Sequence, residues 1–161
     1  MYKRILVPLD GSKEAEHALP HVKTAATGYD PPAKVIVFTA IGVWQKMGPD
    51  IAATITATGH VVQTDKSYDS LAKQYIKTIV DNLRSEGIDA EDAIIETIPN
   101  QDVAEEILRY VDSEEIDLII MTTHGRSGPK RWAFGSVADK VVRHSKVPVS
   151  VVPPHGYREG K

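Results

Sequence analysis

The sequence predicts an α/β protein, an open five-stranded parallel sheet with helices on both faces. Two observations carry this. Short apolar runs alternate with segments of helical period along the whole chain. The runs are apolar without alternation, as strands covered on both faces are. At 161 residues and 42% apolar content the chain suits one domain with a real core, expected over 1–153, with a loose polar tail at 154–161.

"RILVPLD" (Arg4 to Asp10) reads as the first strand, ending in a Gly-containing turn. Ser12 then caps a helix with the stripe Ala15, Ala18, Leu19, Val22 and Ala25, kinked at Pro20. "KVIVFTAI" (Lys34 to Ile41) is the second strand. The long segment 42–67 holds a short helix around Asp50 to Thr58 and has the length of a lid or partner surface. From Tyr68 to Glu86 the positions Leu71, Tyr75, Ile79 and Leu83 recur every four residues, and Gly87 stops that helix. "DAIIETI" (Asp92 to Ile98) is the third strand. Asn100 caps a helix carrying Val103, Ala104, Ile107, Leu108 and Val111. "DLIIMT" (Asp117 to Thr122) is the fourth strand, Gly135 to His144 the last helix, and Val147 to Val152 the fifth strand.

The segment Thr123 to Ser136, "THGRSGPKRWAFGS", stands out chemically. It holds three glycines, three basic side chains and a histidine, and no carboxylate, in a chain whose net charge is −3. Glycines let backbone N–H groups approach an anion, and "GS" opens a helix whose first N–H groups lack internal partners. Asp10, at the end of the first strand, repels phosphate and suits a ribose hydroxyl. Together the two loops describe a nucleotide, bound beyond the carboxyl ends of the strands. Tight-turn glycine loops occur in many α/β folds, so the pattern alone leaves that reading open. Neither a Walker A sequence nor G-x-G-x-x-G is present.

Other chemistries have little support. The chain has no cysteine, which excludes disulfides, thiolate metal sites and a cysteine nucleophile. His17 and His21 lie four apart on a helix without a third metal ligand. Arg126, Lys130 and Arg131 reach phosphate or form a solvated face, and Trp44 and Trp132 cap a base or seal a dimer. No nucleophile–base–orienter set is visible, so no catalytic residue is assigned. The mild acidity argues against nucleic acid, and no run of residues has membrane length. A cytoplasmic protein is expected.

From "YKRILVPLDGS" to "GSVADKVVRHSKVPVSVV" the chain resembles the universal stress proteins over nearly its whole length. The resemblance implies a Rossmann-like sheet of order 3-2-1-4-5, homodimers and, in one branch, bound ATP. That branch carries Gly-x2-Gly-x9-Gly-Ser/Thr after the fourth strand. Here Thr122 stands at the first glycine, Gly125, Gly135 and Ser136 match the rest, and Val137 completes the match. By the same resemblance Pro8 and Asp10 fall on the adenine and ribose sides, Ala40 at the adenine wall, and Met121 just before the motif. His124 and Arg126 belong to the phosphate loop. The implied function is an adenine-nucleotide-binding (ATP, ADP or AMP) stress-response regulatory module, with or without Mg2+, dimerising through Val147–Val152 and read by an unknown protein partner. The alternatives are a nucleotide-free dimeric interaction protein and a slow ATPase.

Overall fold

The structure, a computed structural model, describes residues 2–28, 30–42, 68–96, 101–123 and 134–153. Five strands pair in parallel in the order β3-β2-β1-β4-β5. They are β1 (Arg4–Pro8), β2 (Lys34–Ala40), β3 (Ala90–Ile95), β4 (Leu118–Thr122) and β5 (Val149–Val152). The described helices are α1 (Lys13–Glu16), α2 (Leu19–Thr27), α3 (Tyr68–Ser85), α4 (Val103–Ser113) and α5 (Ser136–His144).

Strand side chains alternate between two faces, and each face builds its own core. Ile5, Val7, Val35, Val37, Leu118 and Ile120 pack against the inner sides of α2 and α3. Leu6, Ile36, Phe38, Ile119 and Met121 pack against α4 and α5. On that second face the Phe38 ring meets Tyr110 edge-on, 5.4 Å between centroids. At the amino ends of the strands the Asp117 carboxylate accepts from the N–H groups of Lys3 (2.7 Å) and Arg4 (3.1 Å), tying β1 to β4.

The helix expected after Ser12 is two helices. Pro20 lies in the first turn of α2, where its missing N–H has no helical partner to lose and its ring meets no preceding turn. The chain breaks at His17–Ala18 and so avoids the cost of a mid-helix proline. Ala15, Ala18 and Val22 are buried as expected, and Ala26 is buried more deeply than Ala25.

The remaining differences have local causes. β3 starts two residues earlier than its most apolar run, because Ala90 pairs with Val35 in the parallel ladder. As an edge strand it tolerates charge, and Glu91 pairs with Lys34 at 2.7 Å and Arg4 at 3.7 Å. The cap of α4 is Asp102, whose carboxylate accepts from Ala104 N at 2.9 Å, and the expected cap Asn100 lies outside the described residues. β5 begins at Val149 rather than Val147. Pro148 has no N–H for the ladder, and Ser145 Oγ closes a turn onto the N–H and carbonyl of Val147. The expected short helix at 50–58 lies outside the described residues.

Candidate functional site

The chain lays down β1, β2 and β3 outward in one direction, then crosses to place β4 on the other side of β1. The helices that follow β1 and β4 pack on opposite faces of the sheet, the arrangement that in open α/β sheets leaves a ligand crevice at the carboxyl edge. Asp10 and Ser136 stand on the two sides of that switch point.

On the β1 side, Leu9 N donates to Phe38 O (2.8 Å), and the Thr39 hydroxyl donates to Leu9 O (2.8 Å). These bonds hold the strand's exit. Gly11 then adopts φ 77°, a left-handed conformation costly for a residue with a Cβ. The turn brings Ser12 back to Asp10, and both its N–H (3.0 Å) and its hydroxyl (2.5 Å) donate to Asp10 Oδ1. Asp10 Oδ2 takes no bond among the described residues. Ser12 also caps α1, its oxygen accepting from Ala15 N at 3.1 Å.

Below this turn, Tyr75 of α3 donates to Glu16 Oε1 at 3.0 Å. Burial, followed by the nearby Glu16 charge, raises the tyrosine pKa far above its ordinary value. The hydroxyl therefore stays protonated and pins α1 to α3.

On the β4 side, Met121 and Thr122 are buried and in register with Val151 and Val152. Thr122 keeps ordinary strand geometry, as its β-branched side chain requires. Past the strand, Thr123 N donates to Val152 O (3.0 Å), and Gly135 N donates to Thr123 O (2.8 Å). Thr123 and Gly135, on either side of the glycine-rich segment, are thus pinned together, and α5 starts directly at the end of β4.

Gly135 caps α5 with φ −60° and ψ 154°, a conformation open to any residue. Without a side chain it supplies no capping bond. The first helical bond runs from Asp139 N to Gly135 O, and the N–H groups of Ser136, Val137 and Ala138 have no partner among the described residues. Val137 packs partly into the second core, while Ser136 is exposed.

Of the predicted site residues, Pro8 and Asp10 lie at the end of β1, Ala40 at the buried end of β2, and Met121 and Thr122 at the end of β4. Gly135, Ser136 and Val137 open α5. His124, Gly125 and Arg126 lie outside the described residues, as do Lys130, Arg131, Trp44 and Trp132. Among the described residues no group of three His, Cys, Asp or Glu is placed to hold a metal ion. Likewise, no described helix is long and apolar enough to cross a membrane. Asp-x-Ser is the pattern of an Asx turn, and here Asp10 and Ser12 form one.

The sequence model of the universal stress protein family matches residues 1–153. The chain belongs to the universal stress protein family. It is 31% identical to universal stress protein MJ0577 of Methanocaldococcus jannaschii over 94% of this chain and 95% of that one. A solved structure of MJ0577 superposes with a TM-score of 0.67, covering 95% of this chain and 96% of the other. The universal stress protein from Archaeoglobus fulgidus, solved in complex with dAMP, shares the fold at 20% identity and a TM-score of 0.62, covering 93% and 97% of the two chains. So does a family protein from Arabidopsis thaliana with AMP bound, at 12% identity and a TM-score of 0.62, covering 96% and 93%. Universal stress proteins of this fold thus include some that hold adenine nucleotides.

Proposed function

We propose that this universal stress protein binds an adenine nucleotide at the carboxyl edge of β1 and β4 and works as a nucleotide-responsive regulator. The observation that carries the reading is the open amino end of α5, fixed by a glycine cap at the exit of β4, the neighbour in the sheet of β1, which leads into Asp10. Three N–H groups without a partner among the described residues, and the positive end of the helix dipole, suit phosphate oxygens. Glycine at position 135 is not required by its backbone angles, so its use is to leave that end uncovered. Asp10 Oδ2 suits a sugar hydroxyl on the other side of the crevice.

In this reading Pro8, Ala40 and Met121 line the base side, and Thr122, His124, Gly125, Arg126, Gly135, Ser136 and Val137 the phosphate side. Any Mg2+ arrives with the nucleotide, held mainly by phosphate oxygens. The AMP-bound and dAMP-bound relatives support an adenine ligand. Homodimerisation through β5 is part of the same proposal. Among the described residues that strand pairs only with β4 and its outer edge is open, and its sequence "VPVSVV" carries no charge to protect it.

The test is mass analysis of protein purified without added nucleotide and then denatured. Co-purifying AMP, ADP or ATP supports the reading. Protein that carries none and binds none on titration belongs to the alternative, a dimeric interaction protein.

A further inference from the structure

We infer that Ser12 is a positioning residue for the sugar-binding carboxylate, and that it sets how strongly the site prefers ribose to a sugar lacking its hydroxyls. This rests on the adenine-nucleotide reading of the site. Ser12 is 5% exposed and does three things at once. Its N–H and O–H both donate to Asp10 Oδ1, at 3.0 and 2.5 Å, and its oxygen accepts from Ala15 N at 3.1 Å. A carboxylate oxygen offers about two lone-pair sites, and here both on Oδ1 are taken. Oδ2 is left as the acceptor for a ligand hydroxyl, held in one orientation.

The clamp is itself anchored. The hydroxyl hydrogen is committed to Asp10 because the Ser12 oxygen faces the first turn of α1. That helix is fixed by buried Ala15 and by the Tyr75–Glu16 bond. A carboxylate released from this arrangement turns about its side-chain bonds, and much of its bond to a sugar hydroxyl is then lost in ordering it. A serine that merely capped α1 would behave differently. Glycine replaces a capping serine with little loss of helix stability, and neither change would discriminate between sugars.

The experiment titrates the full chain calorimetrically with ATP and with 2′,3′-dideoxy-ATP, for the parent and for Ser12→Gly, Ser12→Ala and Ser12→Thr. The parent is expected to prefer ATP by about tenfold or more, the worth of one charge-assisted hydrogen bond. Ser12→Gly and Ser12→Ala are expected to cut that preference to about threefold or less by weakening ATP alone, while Ser12→Thr, which keeps the hydroxyl, retains it. Melting curves accompany each titration, and if Ser12→Ala does not fold, Ser12→Gly decides. Full ribose preference in folded Ser12→Gly overturns the inference and leaves the nucleotide reading standing. A parent that binds both ligands equally overturns the ribose role of Asp10 and this inference with it. A parent that binds neither overturns the nucleotide reading itself.

Discussion

Gly135→Asp should make the protein more stable and a poorer nucleotide binder. The backbone at position 135 has φ −60° and ψ 154°, so aspartate enters without strain. Its carboxylate then reaches the open N–H groups of Val137 or Ala138, as N-cap side chains do. Replacing glycine by a true capping residue gains a few tenths of a kcal/mol, and a negative charge at the helix start adds about 0.3–1 kcal/mol. The expected gain is about 0.5–1 kcal/mol, a rise in melting temperature of about 1–4 °C for a chain of this size. The same carboxylate occupies the donors meant for phosphate and repels it, so ATP affinity should fall by tenfold or more. Gly135→Asn separates the two effects, since it caps without charge and should weaken ATP less. Differential scanning calorimetry and ATP titration on the three proteins supply both quantities. A stabilised Gly135→Asp that binds ATP as tightly as the parent would refute the reasoning, because phosphate would then not sit at this helix end.

Other perturbations probe the neighbouring elements. Thr122→Gly should cost about 0.5–1 kcal/mol of stability through backbone freedom, yet tighten ATP more than AMP if the threonine crowds the phosphate chain. Comparison of the two dissociation constants checks it, and ATP weakening would mark the hydroxyl as a donor to the ligand. Val151→Lys places a charge on the open edge of β5 and should give monomers in analytical ultracentrifugation; an unchanged dimer moves the interface elsewhere. Asp102→Ala removes the cap of α4 and should cost about 1 kcal/mol, visible as a melting temperature lower by about 2–4 °C.

Asp102 also makes a pH prediction. Its hydrogen bond from Lys140, and then that from Ala104 N, hold its carboxyl below the ordinary value of 3.8. A carboxylate with a lowered folded pKa contributes stability above the unfolded value and loses it as pH falls through the folded one. The advantage of the parent over Asp102→Asn should therefore be full at neutral pH and fade below about pH 4 in parallel melts. An advantage that does not shrink at all as pH falls below about 4 would contradict the assignment.

Much of this fold was legible because burial writes itself into the sequence as pattern. β1, β2 and β4 are sandwiched on both faces, so their runs are apolar without interruption, and each was placed within two residues of its observed ends. The strand order was carried by the family resemblance. The edge strands were read less well, since β3 takes its bounds from pairing with β2 and admits Glu91 and Asp92. Pro20 misled because its cost depends on whether it sits inside a helix or at its start, and the break at His17–Ala18 has no local composition signal. At the site, Asp10 and the Gly135–Ser136 helix start were read from chemistry and spacing. The clamp of Ser12 on Asp10 depends on the left-handed Gly11 turn, which links a capping residue to a ligand residue only in three dimensions.

The most direct measurement of the central claim is a titration of nucleotide-free, 15N-labelled protein with ATP, followed at backbone amides. A phosphate at the start of α5 and a sugar at Asp10 predict the largest shifts at Ser136, Val137 and Ala138, with a second group at Gly11 and Ser12. Amides of α3 far from the crevice, such as Leu83, should barely move. Saturable binding that leaves Ser136–Ala138 unshifted, or shifts centred on another part of the fold, would contradict the account.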